Sequence, residues 1–110
     1  MVNRIMDGLD AGIADWEEIW SGHSLERWML VIAEEAGEVI GAFNKWHNGY
    51  KMKTREDVLE EMSQLTGCLF LTAYELQVSP AELLDMTGDF MAAKATEIRK
   101  IRGLDGTRRA

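Results

Sequence analysis

Cysteine, proline and long apolar runs are all scarce in this chain of 110 residues, and each shortage excludes a class of protein. A single cysteine, Cys68, cannot form an internal disulfide or a thiolate metal site, which favours a reducing compartment, with the cytoplasm as the default. The longest apolar run, residues 28–33, is far shorter than the roughly 20 residues of a membrane span, and the N-terminus has no signal-peptide pattern. We therefore expect neither membrane insertion nor secretion. One proline, seven methionines and few β-branched runs favour helices over a β-sandwich or barrel.

Basic residues are also scarce, except near the C-terminus. Residues 1–93 contain 17 acidic and 6 basic side chains, a net charge of −11, whereas residues 94–110 contain 2 acidic and 6 basic ones, a net charge of +4. An acidic body repels phosphates unless a cation or a basic patch intervenes. We therefore do not expect nucleic acid as a partner, whereas a bound cation is compatible with this charge.

Hydrophobic spacing and capping residues predict four helices. The first helix spans about 2–20 and the fourth spans 80 to about 102. The second follows the N-cap Ser24 and ends at about 47, and the third follows the N-cap Thr54 and ends near 77. The expected fold is an all-α four-helix bundle in a single domain, residues 1–103, followed by a flexible basic tail, 104–110. The apolar stripes expected to face the core include Ile13, Trp28, Met29, Ile40, Val58 and Leu69. Residues 67–74 are apolar nearly all round, which predicts burial at the bundle centre or against a second copy of the chain.

Acidic side chains border the apolar stripes of the second and third helices. The second helix carries Glu34, Glu35 and Glu38, and the third carries Glu61, with Asp57 one turn before it. In an antiparallel pair these carboxylates can face one another, and their repulsion then calls for a counter-ion. Oxygen ligands without cysteine or histidine suit Mg²⁺ or Mn²⁺. The alternative is an ordinary solvated acidic face.

Two segments resemble the motifs of the MazG-like, all-α nucleoside triphosphate pyrophosphohydrolases. Residues 30–39 look like the Glu-x-x-Glu motif of that family, and residues 55–65 look like its Glu-x-x-Asp motif. The resemblance covers about residues 15–99. It implies that the protein uses Mg²⁺ to cleave a nucleoside triphosphate at the α–β phosphoanhydride, releasing a nucleoside monophosphate and pyrophosphate. The nearly all-apolar third helix separately predicts a homodimer or homotetramer, because a monomer would expose that apolar surface.

The same resemblance assigns roles to individual residues. Glu35, Glu38 and Glu61 would be metal ligands with catalytic function, and Glu34 a further ligand or the base that orients water. Gln64 stands where the family has aspartate; its amide oxygen can coordinate a metal but brings no charge. Asp57 could supply the missing charge, or the chain could be a catalytically inactive relative that binds nucleotides or a protein partner.

Three further residues are candidates for substrate binding. Lys94 and Arg99 resemble the basic residues with which the family contacts the triphosphate, although cations are also common near helix C-termini. Trp20, one turn after Trp16, could stack on a base, although tryptophans at helical spacing commonly belong to a core. Cys68 has no neighbouring base or cation in the sequence and is interpreted as a small apolar side chain.

Overall fold

Four α-helices make up the computed structural model, which describes residues 2–20, 22–49 and 52–104. They are α1 (Val2–Ile19), α2 (Leu25–His47), α3 (Arg55–Glu75) and α4 (Pro80–Ile101), and the described ranges contain no strand. The all-α class is confirmed, and every helix ends within two residues of its predicted bound. Apart from the exposed Leu104, the predicted basic tail lies outside the described residues. None of the four described helices is both long and apolar enough to cross a lipid bilayer.

Local hydrogen bonds explain where α2 and α3 begin. The Ser24 hydroxyl accepts a hydrogen bond from the Arg27 amide at 3.2 Å. At the start of α3 a capping box forms: the Thr54 hydroxyl accepts from the Asp57 amide at 3.3 Å, and the Asp57 carboxylate accepts from the Thr54 amide at 2.7 Å. Because these bonds lie within four residues of chain, the sequence alone was sufficient to predict them.

The ends of α3 and α4 share one backbone motif. The Val78 amide donates to the Ala73 carbonyl at 2.9 Å, and the Leu104 amide donates to the Arg99 carbonyl at 2.7 Å, as in a Schellman motif. The motif needs a left-handed residue, which is Gly103 (φ +66°) after α4 but Gln77 (φ +63°) after α3. A side chain at this φ is strained, so the end of α3 carries a local cost.

The chain divides into two compact units: helices α1–α3, through Pro80, form the first, and α4 from Ala81 onward forms the second. Within the first unit α3 packs mainly against α2 and less extensively against α1. Glu38 interacts with Glu61, whereas Glu35, one turn earlier in α2, also interacts with Cys68, two turns later in α3. This order makes α2 and α3 an antiparallel hairpin. A single domain and a four-helix bundle remain predictions.

The core of the first unit is small. Its buried apolar side chains come from all three helices and are Ile13, Trp28, Ala42, Val58, Phe70, Leu71 and Ala73. Thr72 is the buried polar residue, and its hydroxyl donates to the Cys68 carbonyl at 2.8 Å. Phe70–Ala73 is buried at four consecutive positions, whereas Leu69 and Tyr74 on either side of it are exposed, so the predicted burial of residues 67–74 is confirmed only in part.

Several apolar residues expected to face the core do not do so within the chain. Met29 and Ile40 on α2 are 54% and 62% exposed, and Leu69 on α3 is 44% exposed. The three- and four-residue spacing identified an apolar face correctly, but the three helices together cover only part of it.

Candidate metal centre and adjoining cavity

Three glutamates converge where α2 and α3 face each other. Glu35 and Glu38 lie one turn apart on α2, and Glu61 projects toward them from α3. One carboxylate oxygen from each lies within 4.8 Å of the other two. We call Glu35, Glu38 and Glu61 the carboxylate cluster. The antiparallel hairpin creates it, since it pairs the middle of α2 with the first two turns of α3.

The electrostatics of the carboxylate cluster are unfavourable in isolation. Glu35 Oε2 and Glu61 Oε2 are shielded from water and have no hydrogen-bond partner among the described residues. Burial, followed by the charges of Glu38 and Glu34, raises the pKa of Glu35. Burial, followed by contact with Glu38 and the charge of Glu35, raises the pKa of Glu61. Two carboxylates in contact need a shared proton or a cation, and hard oxygen donors of this kind fit a hard divalent cation such as Mg²⁺.

The other predicted ligands lie at the edge of the carboxylate cluster or outside it. Glu34 is exposed, and its charge acts on Glu35. Gln64 is exposed, one turn after Glu61, and lines the neighbouring cavity. Asp57 is engaged elsewhere, because its carboxylate accepts hydrogen bonds from the Thr54 amide and hydroxyl, and these bonds lower its pKa. The Asp57 carboxylate thus caps α3 and does not belong to the carboxylate cluster, and its supply of the missing aspartate charge remains a prediction.

A cavity of about 650 Å³ adjoins the carboxylate cluster and lies within the first unit. Its polar end consists of Glu35, Glu60, Ser63 and Gln64. The remaining lining is apolar or small and consists of Gly8, Leu9, Gly12, Ile13, Trp16, Gly67, Cys68, Phe70 and Leu71. Glu35 belongs to both the cavity and the carboxylate cluster, so a molecule in the cavity can contact one member of the cluster. The volume is in the range of small-molecule sites, about 300–1,000 Å³.

The tryptophans of α1 divide into one that lines the cavity and one that does not. Trp16, which is 49% exposed, lines it, whereas Trp20, which is 43% exposed, does not, and both take part in a row of aromatic rings. In this row the ring centroids of Trp16 and Trp20 are 6.3 Å apart, those of Trp20 and His23 5.0 Å, and those of His23 and Trp28 5.0 Å. The role of Trp20 in stacking on a base remains a prediction. The sequence did not predict that His23 packs between two tryptophans.

The predicted triphosphate ligands lie on α4, in the second unit. Lys94 forms an ion pair with Glu97, with 3.5 Å between Nζ and Oε2, and both side chains are more than half exposed. Arg99 lies in the last turn and is half-buried. Their role in substrate binding remains a prediction.

Cys68 lines the cavity and is half-buried. Burial, followed by the charge of Glu35, raises the pKa of its thiol, so the thiol stays protonated at neutral pH. This agrees with its interpretation as a small apolar side chain.

A second carboxylate pair, Glu17 on α1 with Glu75 on α3, did not emerge from the sequence. Glu17 Oε1 is shielded from water and accepts no hydrogen bond from the part of the chain that the structure describes. Burial, followed by the contact with Glu75, raises the pKa of Glu17. The two residues are 58 positions apart, so no local pattern could pair them.

Comparison of the chain with protein-family models, with curated proteins and with solved structures finds no match.

Proposed function

We propose that the protein is a Mg²⁺-dependent nucleotide pyrophosphohydrolase that cleaves ribo- or deoxyribonucleoside triphosphates to the monophosphate and pyrophosphate. The observation that supports it most directly is the carboxylate cluster. Two of its water-shielded oxygens have no hydrogen-bond partner among the described residues, and a cavity large enough for a nucleoside adjoins it. The resemblance of residues 30–39 and 55–65 to the MazG-like motifs supplies the reaction. The proposal places this activity in the cytoplasm.

In this proposal Glu35, Glu38 and Glu61 hold the metal, and Gln64 offers its amide oxygen from the cavity side. When bound, Mg²⁺ supplies a Lewis acid for the phosphate oxygens and lowers the pKa of a bound water. Glu34, exposed beside Glu35, orients the attacking water and accepts its proton. The oxygen of this water would bond to the α or the β phosphorus, and the bond from that phosphorus to the bridging oxygen would break. The products are the nucleoside monophosphate and pyrophosphate in either case.

The assignment of substrate contacts also belongs to this proposal. Lys94 and Arg99 are assigned to the triphosphate. For the base, Trp16 is now a better candidate than Trp20, because Trp16 lines the cavity that Glu35 joins to the carboxylate cluster.

The test is product identification after incubation with a panel of ribo- and deoxyribonucleoside triphosphates in Mg²⁺ or Mn²⁺. We expect equimolar monophosphate and pyrophosphate, lost on chelation and in Glu38→Gln. Release of a diphosphate and orthophosphate, or no turnover in either metal, would contradict the proposal.

A second candidate function has one specific observation in its favour. Gln64 is a neutral amide at the position where the resembled motif has a carboxylate, and Asp57 caps α3 instead of replacing it. A catalytically inactive module that binds nucleotides or a protein partner would have this appearance. It predicts nucleotide binding in the presence of Mg²⁺ without any release of pyrophosphate.

The proposed assembly is a homodimer or homotetramer. Large apolar side chains such as Met29, Ile40, Met62 and Leu69 are 44–62% exposed on α2 and α3, and contact with a second copy of the chain would bury such side chains. Light scattering at micromolar concentration should therefore give at least twice the 12.5 kDa mass of the chain, and a monomeric mass would exclude this assembly.

A further inference from the structure

Three glycines line the cavity beside the carboxylate cluster. Gly8 and Gly12 lie one turn apart on α1, and Gly67 lies on α3. All three are inside helices, where glycine is a poor choice because it loses more backbone entropy on folding than alanine does. Their presence on two helices that line the same cavity therefore needs a physical reason.

Close helix packing is not that reason. A Cβ atom built on Gly8, Gly12 or Gly67 meets nothing within 4 Å, and none of the three has a positive φ. Alanine would fit at each position without strain or collision, and it would favour the helix. What the glycines provide within the chain is space in the cavity.

The walls of this space suit a flat, largely apolar group. Trp16, Ile13, Phe70 and Leu71 supply aromatic and aliphatic surface, and the polar side chains collect at the end that Glu35 shares with the carboxylate cluster. A nucleoside triphosphate has the same division, with a planar base at one end and metal-binding phosphates at the other. A two-ring base gains more from such walls than a one-ring base, because it buries more apolar area.

We propose that Gly8, Gly12 and Gly67 keep the cavity open for a two-ring base and thereby make the protein selective for purine nucleotides. This inference rests on the proposed function for its substrate class. The glycines are specificity-determining residues in this account, not catalytic ones.

The first test compares pyrophosphate release from ATP and GTP with release from CTP and UTP. We expect kcat/KM to favour the purine nucleotides by about tenfold or more. Gly12→Ala and Gly67→Ala should raise the melting temperature and increase KM for ATP severalfold, with less effect on CTP. Gly67→Leu should increase KM for ATP by about tenfold or more.

Gly41→Ala is the matched control. Gly41 is also half-buried inside a helix with nothing within 4 Å of its Cβ, but it does not line the cavity. This variant should raise the melting temperature and leave KM for ATP unchanged. Equal purine and pyrimidine kinetics, or cavity variants that behave like Gly41→Ala, would overturn the inference.

A binding measurement separates this inference from the proposed function. Ile13 lines the cavity and is 5% exposed, so its methyl resonance should shift when adenosine is added without metal, and shift less in Gly67→Leu. An unmoved Ile13 resonance in a protein that releases pyrophosphate overturns the purine cavity alone. A shifted resonance in a protein that releases no pyrophosphate from any nucleotide overturns the proposed function and retains the cavity. A change of molar mass in Gly12→Ala or Gly67→Ala, with adenosine binding unaltered, would assign the glycines to contact between copies and overturn the inference.

Discussion

Replacing Glu35 by glutamine should stabilise the protein without metal and destabilise it relative to the parent in Mg²⁺. The oxygens of the carboxylate cluster lie within 4.8 Å of one another, and two unit charges at that distance in water repel by about 0.9 kcal/mol. Solvent and salt reduce this value for half-exposed groups. Removing one charge relieves two such repulsions, so we expect a gain of about 1 kcal/mol, or a melting temperature higher by about 4–8 °C.

Mg²⁺ should reverse the order of stability and make the parent more stable than Glu35→Gln. At a Mg²⁺ concentration about 100 times the dissociation constant, the parent gains about 2.7 kcal/mol from binding, whereas Glu35→Gln has lost a ligand and gains less. The assay is a thermal melt of both proteins at increasing Mg²⁺ concentration, with Glu18→Gln as the control for loss of an exposed charge on α1. Curves that stay parallel, with Glu35→Gln responding to Mg²⁺ as Glu18→Gln does, would refute the metal site.

Three further predictions concern single residues. Gln64→Asp should tighten Mg²⁺ binding about tenfold, equivalent to about 1.4 kcal/mol, and raise pyrophosphate release at sub-saturating metal, whereas Asp57→Asn should retain activity because Asp57 caps α3. The pKa of Glu17 is raised above its ordinary 4.5 in the folded state, so the folded parent should become more stable as pH falls from 7 toward 4.5. Thermal melts should show Glu17→Gln to be more stable than the parent at pH 7 and to lack this part of the pH dependence. Gln77→Gly should raise the unfolding free energy by about 1 kcal/mol in urea denaturation, because Gln77 has a φ of +63°, and an unchanged midpoint would contradict strain there.

The sequence predicted the helices well because their signals are local. Ser24, and Thr54 with Asp57, form their caps within one turn of the chain, so the pattern of residue types is sufficient. The left-handed Gln77 was not predicted, since glutamine is not a residue type typical of that position.

The candidate site was only partly predictable because it depends on contacts between helices. The convergence of Glu35, Glu38 and Glu61 followed from an antiparallel hairpin, which a short connection favours. The position of Trp16 at the cavity depends on contacts between helices that spacing does not rank. The packing of α1 on α3 brings together the three cavity glycines and pairs Glu17 with Glu75. The sequence carries no local signal for this packing.

Pyrophosphate release as a function of Mg²⁺ concentration, measured on the parent and on Glu61→Gln at the same nucleotide concentration, tests the central claim most directly. Glu61 is the member of the carboxylate cluster that α3 contributes, and the account requires both helices to hold the metal. We expect saturable dependence on Mg²⁺ in the parent and, in Glu61→Gln, loss of turnover with the helical circular dichroism unchanged. Equal pyrophosphate release by the two proteins at every Mg²⁺ concentration would contradict the account.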